Sequence, residues 1–141
     1  EPTADIVVES SQLTSVDIEG DMVPRVIDEL PILALAACVA QGTTRIKDAS
    51  ELRVKESDRI ATTAKTLSDL KATVEERPDG LVIQGNTPLV GTELDSFGDH
   101  RIAMSMAIAG MVAHGQTTIN GAEVAKISYP DFWDTVDEIT K

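Results

Sequence analysis

The chain has 141 residues, 24 acidic against 12 basic side chains and a formal net charge of -12. That balance excludes nucleic acid and anionic membrane surfaces as expected partners, because both are bound by an excess of cations. Only 3% of residues are aromatic, too few for a surface that stacks bases. Length and a 42% apolar content fit a single domain with its own core. The first residue is Glu1 rather than Met, so the sequence reads as the inside of a longer protein, with no signal peptide. The single cysteine, Cys38, lies in an apolar run and fits a small core residue in a reducing cytoplasm.

In chain order, Ile6–Glu9 and Ser15–Ile18, rich in β-branched residues and separated by polar ones, predict two short strands. Asp28 is placed to cap a helix whose first turn tolerates Pro31. The run from Leu30 to Val39 is apolar almost all round, which predicts a buried helix ended at Gly42. Thr43–Ile46 reads as a strand. A second helix is expected from Ser57 or Asp58, with Ile60, Ala64 and Leu67 at helical spacing. Thr73–Glu76 and Leu81–Gln84, separated by Pro78-Asp79-Gly80, predict a hairpin. Glu93–Ser96 is a further candidate strand. Asp99 can cap a third helix, apolar from Ile102 to Ala113 but for Ser105 and closed by His114-Gly115. Thr117–Asn120 reads as a strand, and a last amphipathic helix is expected from Asp131.

The longest apolar stretches are too short to cross a bilayer. Two segments repeat a pattern: a buried helix, a Gly-Thr-Thr or Gly-Gln-Thr-Thr strand start, an Ala-containing turn with an acid, then a lysine, Lys55 or Lys126. The pattern predicts an α/β fold of repeated helix–strand–turn–lysine–helix units.

Candidate chemistry is concentrated in two motifs. Arg53, Lys55, Glu56 and Arg59 lie at the junction of a turn and a helix start, where free amides favour anions and cations are locally unfavourable. That conflict points to function, although the same residues also fit a solvated turn in which Glu56 and Asp58 pair with the arginines. Gly98-Asp99-His100-Arg101 forms a second such junction; there Asp99 could simply cap and Arg101 simply reach solvent. Neither His100 nor His114 has metal-ligand spacing, and no nucleotide-type glycine loop is present.

Leu52-Arg53-Val54-Lys55-Glu56-Ser57-Asp58-Arg59-Ile60, Gly98-Asp99-His100-Arg101-Ile102-Ala103-Met104 and Ala125-Lys126-Ile127-Ser128-Tyr129-Pro130-Asp131-Phe132, in that order, resemble the C-terminal signatures of the 5-enolpyruvylshikimate-3-phosphate synthase family. The resemblance implies a fold of repeated βαβαββ units with buried helices on mixed sheets. It implies a single partial domain over residues 1–141, with about two units at 1–90 and 91–141. The implied reaction moves the enolpyruvyl group of phosphoenolpyruvate to the 5-hydroxyl of shikimate 3-phosphate and releases phosphate, in the cytoplasm and without metal or organic cofactor.

By motif position, Asp28 is the implied base at the 5-hydroxyl, and Lys55 contacts shikimate 3-phosphate and shares in proton transfer. Glu56 handles the proton at the methylene carbon. Arg59, Arg101 and Lys126 hold phosphoenolpyruvate, with His100 nearby. Glu51 departs from the family, some of whose members have an asparagine there that touches shikimate 3-phosphate. The remaining cations come from an N-terminal half, so this chain alone is expected to be inactive. The alternatives are a UDP-N-acetylglucosamine enolpyruvyl transferase-like enzyme, which would be expected to lack Lys-Glu-Ser-Asp-Arg, and an inert structural piece with weak anion binding.

Overall fold

The computed structural model describes residues 3–141. Strands β1 (Asp17–Ile18), β2 (Thr43–Ile46), β3 (Thr73–Arg77) and β4 (Gly80–Gln84) form a four-stranded mixed sheet in the order β1-β2-β4-β3. β1 runs parallel to β2, and β4 is antiparallel to both neighbours. A two-residue Pro78-Asp79 connection closes the β3–β4 hairpin, as its turn chemistry requires. Strands β5 (Glu93–Asp95) and β6 (Thr118–Asn120) form a separate parallel pair. The helices are α1 (Val23–Val26), α2 (Leu30–Val39), α3 (Arg59–Asp69), α4 (His100–Val112) and α5 (Phe132–Ile139). The main elements of residues 17–84 thus read β-α-β-α-β-β, and those of 93–139 read β-α-β-α.

The core follows from the apolar stripes. Leu30, Ala34, Leu35 and Cys38 of α2 and Ile60, Ala64 and Leu67 of α3 close over Ile46, Leu81 and Ile83 of the sheet. Helix α4 serves two cores. Ile102, Met106 and Ala109 enter the main one, while Ala103 and Ala107 pack with Ala125 and Phe132 in a smaller cluster under α5. Burial pushes the Cys38 thiol up to about 12, so it stays a neutral core residue.

Three expectations are corrected. Ile6–Glu9 forms no strand; Ile6, Val7 and Val8 are exposed and bonded to no strand. β-branched residues form a strand only where they pair with a neighbouring strand, and Ile6–Glu9 pairs with none among the described residues. Asp28 does not cap α2. It lies in a 3-10 turn, Ile27–Glu29, and the α2 N-cap Glu29 makes no side-chain cap bond. The apolar helices are also not buried all round: Val39, Met111 and Val112 stay exposed. No helix is long and apolar enough to cross a membrane among the described residues.

Candidate functional site

The starts of three helices meet at one end of the domain. Asp28 and Glu29 immediately precede α2, Arg59 is the first residue of α3, and His100 and Arg101 open α4. Each start has its own local cause. Asp58 caps α3 by accepting from the Ala61 amide at 3.0 Å. Asp99 caps α4 by accepting from the Arg101 amide at 2.9 Å and the Ile102 amide at 3.4 Å. Phe97 (φ 54°) and Gly98 (φ 69°) both take left-handed backbone just before that cap. For phenylalanine this is a strained conformation, of the kind that persists where surrounding structure over-determines a site.

Arg59 is the centre of the arrangement. Its side chain is 1% exposed, yet it faces three carboxylates. Nε donates to Asp99 Oδ2 at 2.8 Å, Nη1 to Asp28 Oδ1 at 2.9 Å and Nη2 to Glu56 Oε2 at 2.7 Å. Asp99 is 0% exposed and also accepts from Ser57 Oγ at 2.9 Å. Burial opposes the charge on Arg59, but Asp99, Glu56 and Asp28 more than offset it and raise its pKa above the ordinary value. Burial likewise disfavours the Asp99 carboxylate, but Arg59, Ser57 and the Arg101 amide hold its pKa below the usual 3.8. The two ends of the guanidinium are unlike. The Nε edge is sealed against Asp99, whereas the Nη groups face Asp28 and Glu56, which are 43% and 50% exposed.

Arg101 is half-buried. Its Nη1 donates to Glu29 Oε1 at 3.2 Å, Nη2 lies 3.9 Å from Asp28 Oδ2, and the buried Nε has no partner among the described residues. Lys55 follows the 3-10 turn Ser50–Val54 and pairs with Glu51 at 2.8 Å. The Glu51 hydrogen bond raises the Lys55 pKa; Asp28 also raises it and Arg59 lowers it, so Lys55 lies within the field of the same cluster. Lys126 stands in the 3-10 turn Ala122–Ile127, exposed and in no ion pair among the described residues. That turn is fixed to α4 through buried Ala125. His100 is buried.

The structure therefore brings Asp28, Glu56, Arg59 and Arg101 together directly and Lys55 beside them. It divides the motif at Arg53, whose cation is consumed structurally. Arg53 donates to the Pro78 and Arg77 carbonyls at 2.7 Å each and pairs with Asp58 and Glu76, tying the 50–54 turn to the hairpin and to the α3 cap. Two site groups were not visible as such in the sequence. Glu29 carried no motif, and Asp99 showed only its capping role. Their partners are 72 and 40 residues away, a separation that no local pattern signals.

The class is thus a mixed α/β protein whose cations and carboxylates gather at converging helix starts. The particular family follows from comparison. Residues 1–136 match the model of EPSP synthase (3-phosphoshikimate 1-carboxyvinyltransferase), and the chain belongs to that family. It is 56% identical over 141 residues to the 3-phosphoshikimate 1-carboxyvinyltransferase of Roseiflexus sp. (strain RS-1) and 57% identical over 139 residues to that of Synechococcus elongatus. These alignments cover 100% and 99% of this chain but 33% and 31% of the relatives. The solved EPSP synthase of Acinetobacter baumannii superposes with a TM-score of 0.86 at 39% identity, covering 90% of this chain and 30% of that one. The chain spans about a third of the length of the curated relatives it matches.

Proposed function

We propose that this chain is the donor-side wall of the cleft in an enzyme that transfers the enolpyruvyl group of phosphoenolpyruvate to the 5-hydroxyl of shikimate 3-phosphate. The observation that carries the reading is the meeting of the α2, α3 and α4 starts around Arg59 within hydrogen-bond distance. Two units, about 1–90 and 91–141, would each supply a lysine turn and a helix start. The rest of the relatives' length would supply the opposite wall, most contacts to the acceptor phosphate, and the residues that this wall lacks.

In this reading Glu56 protonates the methylene carbon of phosphoenolpyruvate while Asp28 takes the proton of the acceptor 5-hydroxyl. The oxygen then adds to the activated carbon, and in the collapse of the tetrahedral adduct Glu56 takes back a proton from the new methyl group, the C=C bond re-forms and the C–O bond to phosphate breaks, the phosphate leaving with the proton held by Asp28. Arg101 and Lys126 bind the donor's carboxylate and phosphate. Arg59 contributes its Nη edge by releasing Asp28 or Glu56, both solvent-facing, while buried Asp99 keeps the Nε edge fixed. That exchange frees the released carboxylate for proton transfer at the moment the ligand arrives. Lys55 contacts shikimate 3-phosphate and assists proton transfer, and His100 lies beside the donor. The proposed reaction uses no metal or organic cofactor, its partners are these two small anions and the companion half, and its proposed location is the cytoplasm.

The test is a titration of the 141-residue chain with phosphoenolpyruvate, with and without shikimate 3-phosphate, followed by backbone amide NMR. Shifts confined to residues 55–59, Arg101 and Lys126 are expected. A silent titration would favour an inert structural piece, and phosphate release by this chain alone would overturn the need for an opposite wall.

A further inference from the structure

Glu29 has no part in the chemistry proposed above, yet it holds one of the donor-binding cations. It occupies the N-cap position of α2, where a short polar side chain ordinarily accepts from the helix amides, and it makes no such bond. Its carboxylate instead reaches across to α4 and accepts from Arg101 Nη1 at 3.2 Å. Asp28 Oδ2 faces the other prong, Nη2, at 3.9 Å. Two successive carboxylates from the start of α2 thus face the two outer nitrogens of one guanidinium, one by a hydrogen bond and one by charge alone, at the edge that a single ligand carboxylate could engage bidentately. The two acids and Arg101 line a groove together with Ile32, Met104 and Phe132, and Arg101 Nε is buried without a partner among the described residues. A donor short of one bond, beside donors bonded to an exposed acid, describes a cation that an external anion can still satisfy better. Glu29 is 52% exposed, so it can withdraw into water.

We infer that Glu29 is an internal competitor for the donor-anion position on Arg101 and sets the strength with which that position takes ligands. The inference rests on the reading of Arg101 as a donor-binding residue. While Glu29 is in place, the apparent affinity of any anion for Arg101 falls by the fraction of time the site is open. Ambient monoanions are then kept off, whereas a multiply charged donor with further contacts on Arg59 and Lys126 still displaces the acid. Because the pair is solvent-exposed, its strength is modest. Removing the competitor raises affinity about two- to fivefold, a ratio equivalent to roughly 0.4–1 kcal/mol at ~1.4 kcal/mol per tenfold.

The experiment titrates phosphoenolpyruvate into the wild-type chain, Glu29→Gln, Glu29→Asp and Glu75→Gln, following the Arg101 Nε–Hε resonance. Glu75 pairs with Arg77 on the hairpin and controls for the loss of one negative charge. Tighter binding by about two- to fivefold in Glu29→Gln, a smaller gain in Glu29→Asp and none in Glu75→Gln are expected. A wild-type response at Arg101 with no gain in either Glu29 variant, or with an equal gain in Glu75→Gln, would overturn the role of Glu29 and leave the donor-site reading standing. An Arg101 resonance unmoved by phosphoenolpyruvate in every protein would overturn both.

Discussion

The two lysine turns come from the same sequence pattern and are held in different ways. The turn at 50–54 is clamped: Arg53 ties it to the Arg77 and Pro78 carbonyls, Asp58 and Glu76, and the lysine that follows is paired with Glu51. The turn at 122–127 is held by packing instead, with buried Ala125 and half-buried Val124 set against α4 and α5, and Trp133 Nε1 donating to the Ala122 carbonyl at 3.0 Å. Its lysine is exposed and forms no ion pair among the described residues. The sheets of the two segments differ as well, with four strands in the first and two in the second. Repetition therefore fixes where a lysine stands, and the neighbouring elements decide whether it is already neutralised. A clamped lysine is oriented before any ligand comes; an open one gains its counter-charge from the ligand.

The contrast can be broken from its shared foundation outwards. The largest effect is expected from Asp99→Ala, which leaves Arg59 buried without its permanent partner and uncaps α4. A loss of about 3–5 kcal/mol is expected in urea denaturation. An effect below ~1 kcal/mol would show that Arg59 finds water or another acid. Next is Arg53→Ala, which removes the clamp on the first turn. The expected cost is about 1–3 kcal/mol, with amide shift changes at 50–58 and in the hairpin but not at 122–127. Trp133→Phe keeps the ring and deletes one hydrogen bond to the second turn, for about 0.5–1.5 kcal/mol in thermal denaturation, with shifts confined to 122–127.

Smallest in stability is Lys126→Ala, expected within ~0.5 kcal/mol of wild type. Its signature lies in binding, as loss of the phosphoenolpyruvate-induced shifts of the 122–127 turn. The pH dependence of stability follows from Asp99. Its folded-state pKa is lowered below 3.8, so its contribution is present above that value and is lost as pH falls through the lower folded value. Acid titration of Asp99→Asn should lack this component. An acid limb identical in wild type and variant would remove Asp99 as its source.

Much of this was legible because it is local. Helices α2, α3 and α4, the β3–β4 hairpin and the cap Asp99 follow from spacing, turn residues and a short polar side chain before a helix. The motif reading likewise picked out Asp28, Glu56, Arg59 and Arg101, which the fold brings together. The plain alternative of acids pairing with arginines was correct in part too, since Arg53 meets Asp58 and Arg59 meets Glu56. Ile6–Val8 misled because a strand depends on a partner edge, which residue type does not supply. Asp28 misled because an acid before a helix has two possible partners, the helix amides or a distant cation, and Arg59 prevailed.

By itself the sequence determined helices α2, α3 and α4, the hairpin and the chemical character of each motif, since all of these arise from interactions within a few residues. Only the tertiary structure decided which charges are spent and which are available. It consumed Arg53 in the hairpin, sealed one edge of Arg59 against Asp99, set Glu29 on Arg101 and left Lys126 open. The reason is that the worth of a charge depends on burial and on the distance to its counter-charge, and both are set by helix starts that lie tens of residues apart in the chain.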